Sequence, residues 1–325
     1  MKGVKILGFG HYCPENIVTN KDIENLVDTT DEWIIKRTGI KERKISTGEG
    51  TVELAYKAAL NAIKNSKCNK ENIDLIVVAT TTPDNLMPST ACNIQRLLGC
   101  KKAAAFDISA ACSGFVYSLI VASSLIKSTD KKKALVIGSE VLSKIVDWSE
   151  RETCVLFGDG AGAAVIELTE ESDSILSTYF LADGVLGEKT LKAVELKLDT
   201  PFYNNNTEEK RYIQMLGGDV FKFAVKVLPD IIHELLEKSN ESIENIKYII
   251  PHQANLRIID EAARRLKIDR DKFYTNIDKY GNTSAASIPI ALSELLEKDR
   301  IQKGDKLILA AFGGGLTCAG ILINF

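Results

Sequence analysis

The sequence predicts an α/β fold built from two copies of one βαβ-type half. Strand-like and helix-like patterns alternate along the chain, as they do where helices cover sheets in layers. The order of patterns also recurs. Val52–Asn65 reads as a helix that leads through a polar turn to the apolar run Ile73–Ala79, a loop and the helix Thr90–Leu98. Val220–Lys238 leads in the same way through Asn240–Asn245 to Ile246–Ile250, a loop and the helix Leu256–Leu266. Each copy then closes on a glycine-led strand, Gly158–Glu167 and Gly313–Ile323, and such self-similarity marks a duplicated unit. The copies divide the chain into residues 1–172 and 173–325.

The remaining elements follow in chain order. Met1–Gly10 is a short strand, with too brief an apolar run for a secretory signal. Phe106–Ile108 reads as the end of a buried strand, and Phe115–Ile126 as an apolar helix with little charge. Lys131–Lys133 belongs in an exposed turn before the strand Ala134–Gly138. The segment 185–212 is the least regular, with Pro201–Lys210 as a surface loop. No apolar run approaches the roughly 20 residues of a spanning helix, so no membrane is expected.

At 325 residues with 45% hydrophobic and 26% charged content, the chain has the composition of a soluble globular protein with a sizeable core. A net charge of −3 gives no case for nucleic acid. The seven cysteines include no CxxC pair, so neither a zinc ribbon nor a dithiol redox site is expected and no metal is implied. Reduced thiols suit a cytoplasmic protein. In that compartment the glycosylation patterns at Asn205 and Asn282 are chance matches.

Cys112 lies between the strand end and the apolar helix, among the small residues 109–114. At a helix N-terminus the unpaired N–H groups and the dipole favour a thiolate, the reactive form. Of three histidines, His233 falls within a helical pattern and His11 has no evident partner. His252 follows a short apolar strand, where side chains of α/β folds reach a shared site. Asn282 sits in a glycine-preceded turn before another helix. Cys, His and Asn together suit acyl-thioester chemistry, with a nucleophilic sulfur and two donors for a carbonyl oxygen. The glycine turns at 158–160 and 313–315 match no nucleotide-binding fingerprint.

The motifs Val27–Ile34, Arg37–Ile40, the Cys112 segment, Phe157–Ala163, Pro251–Arg257, Gly281–Ala286 and Phe312–Gly315 stand in order along the chain. With them the sequence resembles the 3-oxoacyl-[acyl-carrier-protein] synthase III family of the thiolase superfamily. That resemblance implies a thiolase-like fold of α-β-α-β-α layers with the site where the halves meet. It implies condensation of a short acyl-CoA primer such as acetyl-CoA with malonyl-acyl-carrier protein through an acyl-Cys112 intermediate. No cofactor is implied beyond the coenzyme A thioester. His252 and Asn282 would hold the enolate oxygen, and backbone N–H groups of Cys112 and Gly314 would form the oxyanion hole. Thr29, Trp33, Arg37, Arg151 and Asn255 would bind coenzyme A, with Trp33 and Arg151 flanking the adenine. Gly218 stands where relatives often carry an asparagine toward pantetheine. Phe157, Phe312 and, from a homodimer partner, Met87 would shape the acyl pocket. Lys222, Arg257, Arg264 and Arg265 would dock the acidic carrier protein.

A starter-type polyketide synthase with the same triad and a non-catalytic acyl-binding partner are the alternatives. The intact Cys, His and Asn speak against the latter. A thiolase proper would need a second cysteine, for which Cys318 is the nearest candidate, and the His/Asn pair argues against that. The local signature of a papain-like hydrolase is missing around Cys112.

Overall fold

The computed structural model describes residues 2–196, 198, 200–203 and 210–325. It opens with β1 (Gly3–Tyr12), followed by β2 (Ile17–Thr19), α1 (Asn20–Glu24), α2 (Asp31–Thr38) and β3 (Glu42–Lys44). Then come α3 (Thr51–Asn65), β4 (Leu75–Ala79), α4 (Thr90–Leu98), β5 (Ala104–Ile108), α5 (Gly114–Ser128), β6 (Lys133–Glu140), α6 (Arg151–Cys154) and β7 (Gly160–Thr169). The second series is β8 (Ile175–Ala182), α7 (Gly184–Thr190), β9 (Leu191–Lys192), β10 (Gln214–Met215), α8 (Gly217–Ser239), β11 (Ile246–Pro251), α9 (Leu256–Leu266), α10 (Ile277–Tyr280), α11 (Ser287–Glu297), β12 (Lys306–Gly313) and β13 (Thr317–Asn324).

Two sheets repeat one plan. The first runs β1-β7-β6-β4-β5 and the second β8-β13-β12-β11. In both, two antiparallel pairings are followed by one parallel pairing: β1/β7, β7/β6 and β6/β4 against β8/β13, β13/β12 and β12/β11. The counterpart of β5 in the second sheet is reduced to a parallel bridge between Ile249 and Phe273. Helices α3 and α4 cover the outer face of the first sheet, and α8 and α9 that of the second. Between the sheets lie α5 and α11, whose Phe115, Leu119, Leu292 and Leu295 belong to the central core. The layers are therefore α-β-α-β-α.

Local chemistry explains the layers. β4 is Leu-Ile-Val-Val-Ala and buried throughout, as a parallel strand covered on both faces must be. α3 buries Ala55, Ala58, Ala59 and Ala62, small enough to bring its backbone against β1. The approach is so close that a side chain at Gly10 would strike the Ala62 amide nitrogen at 2.1 Å. α9 buries Ile258, Ile259, Ala262 and Ala263 on one face and exposes its charges on the other.

Four expectations need correction. β5 is an edge strand and only half-buried, because its outer side has no neighbour within the chain. Gly313 ends β12 and Gly314 and Gly315 lie in the turn to β13, rather than all three starting one strand. His11 does have partners, with Nδ1 2.9 Å from Ser293 Oγ and 3.4 Å from Glu297 Oε1. Finally, Ala111–Ser128 is long and apolar enough by composition to cross a membrane. In this fold it is apolar because most of it is buried between the two sheets. The pattern at Asn205 lies outside the described residues.

Candidate active site

The strand ends and the N-termini of the two central helices meet at one place. After β5 the chain makes a tight turn through Ala111–Ser113 into α5, and Cys112 sits in that turn. After α10 it makes a matching turn through Ser284–Ala286 into α11. Ala111 (φ 44°) and Ser284 (φ 49°) both adopt the left-handed conformation that side chains rarely take, and such strain is found at functional sites. The two turns are counterparts, so Ala285 occupies in the second copy the place that Cys112 holds in the first.

Cys112 is 9% exposed and lines two adjoining cavities. Burial pushes its thiol up to about 11, opposed by hydrogen bonds from Ser284 and from the backbone of Cys112 and Gly314. The helix-end reading of a resting thiolate is thus corrected, since desolvation outweighs the donors. The same backbone groups are those expected for an oxyanion hole. Gly313 must lack a side chain, because a Cβ there would lie 2.7 Å from Cys112 Cβ.

His252 is buried just beyond β11, its amide donating to the Ala310 carbonyl at 2.8 Å. Its Nδ1 lies 2.7 Å from Ser287 Oγ. That oxygen also accepts from the Gln253 amide at 3.4 Å; where the serine hydrogen goes to Nδ1, the histidine hydrogen is on Nε2. Burial depresses the imidazole to about 3, so it stays neutral. Phe312 packs edge-on against the ring at 5.4 Å between centroids. Asn282 Oδ1 accepts the Ser284 amide at 2.8 Å, which leaves the side-chain NH₂ to donate. Cys112, His252, Asn282, Phe157 and Phe312 line one cleft of 430 Å³. A second cavity of 280 Å³ opens on the other side of Cys112, lined among others by Thr81, Leu142, Ile145, Phe157, Leu191 and Ile213.

The cleft continues to Trp33 and Arg37. Arg151 and Arg37 lie 5.0 and 5.8 Å from the centre of the Trp33 ring, so Arg151 rests on the indole where a base would insert. The other nucleotide-end expectations fare differently. The Thr29 hydroxyl is buried without a hydrogen-bond partner, and Thr29 does not line the cleft. Asn255 caps α9, accepting from the Arg257 amide at 2.9 Å, and donates to the Arg37 carbonyl at 3.0 Å. Both ends of its amide are engaged. Gly218 lines the cleft in the first turn of α8, and a side chain there would meet nothing within 4 Å.

The four cationic residues flank this mouth. Arg257 lies 5.3 Å over the Phe221 ring. Lys222 pairs with Asp219 at 2.9 Å, and Arg264 and Arg265 both pair with Glu261, at 2.8 and 2.7 Å. The patch is therefore partly neutralised. Met87 is 86% exposed and lines neither cavity of its own chain. Cys318 is buried in β13 and lines neither cavity, so it supplies no second thiol. Asp159 is buried and spent on Ser46 and Ser143. Among the described residues no His, Cys, Asp or Glu cluster could hold a metal.

Sequence reasoning did not single out Ser284, Ser287 or Glu140. Ser287 opens α11 and orients His252; Glu140, ending β6, carries no local motif at all.

Comparison with known proteins fits this geometry. Residues 106–184 match the family model for 3-oxoacyl-[acyl-carrier-protein] synthase III, and 236–325 that for its C-terminal region. A beta-ketoacyl-[acyl-carrier-protein] synthase III of Clostridium novyi is 52% identical over 325 residues, covering 100% of both chains. The crystal structure of 3-oxoacyl-[acyl-carrier-protein] synthase III from Aquifex aeolicus superposes with a TM-score of 0.92 at 47% identity, covering 99% of this chain and 100% of that one. The priming beta-ketosynthase of the R1128 polyketide pathway superposes at 0.90 with 32% identity, over 99% of this chain and 96% of that one.

Proposed function

The chain belongs to the 3-oxoacyl-[acyl-carrier-protein] synthase III family, the acyltransferases that initiate type II fatty-acid synthesis, and from that premise we propose which residues carry each step. Cys112 attacks the thioester of a short acyl-CoA, acetyl-CoA first, and releases coenzyme A. Backbone N–H groups of Cys112 and Gly314 hold the oxyanion; losing one such donor typically costs about 10²–10³ in rate. Malonyl-acyl-carrier protein then enters and loses CO₂. His252 Nε2–H and the Asn282 amide donate to the enolate oxygen, and the enolate carbon attacks acyl-Cys112 to give the 3-oxoacyl product. A neutral pair stabilises that enolate without handing it a proton.

The observation that carries this reading is the convergence of Cys112, His252 and Asn282 on one cleft. Coenzyme A enters by the Trp33 end, with Arg151 swinging off the indole to admit the adenine and Arg37 beside it. Arg257, Lys222, Arg264 and Arg265 receive the carrier protein once its acidic side displaces Glu261 and Asp219 from these cations. We place the protein in the cytoplasm as a homodimer, with residues 1–172 and 173–325 as the two halves of each subunit. The polyketide starter role has less support, since the priming ketosynthase is 32% identical to this chain against 52% for the fatty-acid synthase.

The test is intact mass spectrometry after incubation with acetyl-CoA. One acyl group is expected, mapping to Cys112, and Cys112→Ser removes it together with condensation. Labelling at Cys154 or Cys318 sinks the assignment.

A further inference from the structure

Glu140 is fully buried where β6 ends. Hydroxyls surround its carboxylate. Thr82 Oγ1 donates at 2.5 Å, Thr81 donates from its Oγ1 at 3.1 Å and its amide at 3.2 Å, and Thr80 Oγ1 lies at 3.4 Å. A further hydroxyl arrives from the other repeat: Ser284 Oγ is 3.4 Å from Oε1. Ser284 and Cys112 line the same cavity, and the Ser284 hydroxyl is near enough to influence the Cys112 thiol. Sulfur, hydroxyl and carboxylate thus form one chain, held by the strained Ser284 backbone. A buried carboxylate is costly, and among the described residues the structure records no ion pair for this one.

The thiol has no other evident acceptor at the site. His252 Nδ1 is engaged by Ser287, and in the proposed mechanism Nε2 carries the hydrogen that faces the cleft. We propose that Glu140, acting through the Ser284 hydroxyl, takes the Cys112 proton when the acyl group is loaded and returns it when the sulfur is released. This rests on Cys112 being the nucleophile. For loading, the Ser284 hydrogen turns to Glu140 and its oxygen accepts the Cys112 S–H. On loading, the serine hydrogen passes to Oε1 as the thiol hydrogen passes to the serine. The sulfur–carbonyl bond forms, the coenzyme A carbon–sulfur bond breaks, and the departing thiolate takes a proton from solvent. In condensation the enolate displaces Cys112 as thiolate, which recovers its proton from Glu140 by the reverse path. One solvent proton is consumed per turnover, balancing the carboxylate lost as CO₂.

The groups facing Glu140 set its titration. The segment 80–82 brings three hydroxyls and an amide, the 284 turn one hydroxyl, and the 112 turn the thiol. Lys144 sits behind Thr82, on its carbonyl at 3.1 Å and on Asp84 at 2.5 Å. Burial raises the carboxyl to about 7, so it accepts a proton only above that pH.

The experiment measures single-turnover acylation by acetyl-CoA, and alkylation by iodoacetamide, against pH, with the labelled residue mapped by mass spectrometry. In the unaltered protein both rates rise through a limb near pH 7. Glu140→Gln is expected to lose that limb and about 10²-fold of the acylation rate at pH 7.5, in the range of a positioned proton acceptor. Ser284→Ala, which keeps the carboxylate, should behave alike and carries the test if Glu140→Gln does not fold. A folded variant that keeps the limb, even with a uniformly lower rate, overturns the relay. Label on another cysteine overturns the nucleophile assignment, and the relay with it; label on Cys112 with an unshifted profile overturns the relay alone.

Discussion

At the scale of single residues, the site works by placing ionisable groups where burial fixes their charge. His252 is held near 3 by desolvation, so it remains a neutral donor across the working range. Malonyl decarboxylation without primer is therefore expected to stay flat from pH 8 down to about 5. An acid limb near 6.5 would show an ordinary, titrating imidazole. His252→Ala and Asn282→Ala should lose decarboxylation more severely than Cys112 acylation, because in the proposed mechanism both donate to the enolate oxygen. Equal loss of the two half-reactions would make the pair an activator of the cysteine instead. Glu140 works in the opposite sense. Its carboxyl is raised to about 7 by burial, against an unfolded value near 4.5. Below 4.5 both states hold the proton. From 4.5 to 7 the unfolded chain releases it first, so stability falls as pH rises, by roughly 3 kcal/mol once pH exceeds 7. Urea unfolding at pH 5 and pH 8 should show this decline in the parent chain and its absence in Glu140→Gln; parallel curves would place the carboxyl elsewhere than in a dry pocket.

At the scale of elements, the long periodic segments were legible and the edges were not. The helices starting at 51, 90 and 256 fall where their apolar spacing puts them. β5 could not be read as an edge, because the alternation of a strand records its own faces and not whether a neighbour lies beside it. The catalytic candidates were legible because each ends a strand or opens a helix with small residues around it. Ser287 and Glu140 were not, because their roles arise from pairing between distant segments, 35 residues from Ser287 to His252 and 144 from Glu140 to Ser284. The first turn of α8 offers a test at this scale. Gly218 faces the cleft with open space beyond its Cα. Gly218→Asn should fit without strain and add one hydrogen bond toward the pantetheine arm. A gain of about 1 kcal/mol corresponds to a KM for acyl-CoA lower by roughly fivefold. An unchanged KM would mean that the arm runs elsewhere in the cleft.

At the scale of the whole molecule, the chain exposes what a second copy would cover. β5 has a free outer side, and beyond β4 the loop 81–89 carries Leu86 and Met87 at 74% and 86% exposure. Neighbouring apolar side chains left this open suit an interface. The proposed homodimer would bring Met87 to the partner's acyl pocket, for which the second cavity is the candidate. That pocket holds 280 Å³, about nine water volumes at ~30 Å³ each, which exceeds what the three heavy atoms of an acetyl group fill. Methionine is unbranched, with three rotatable bonds, and yields to a longer chain where a rigid ring would not. Acetyl-CoA should therefore be accepted alongside four- and five-carbon primers. Met87→Phe should narrow that range to the shorter primers with little loss on acetyl-CoA, measured as relative acylation rates across an acyl-CoA series. Sedimentation at the assay concentration supplies the second readout. A monomer there, or a primer preference that Met87→Phe leaves untouched, would show that the pocket is walled by one chain alone.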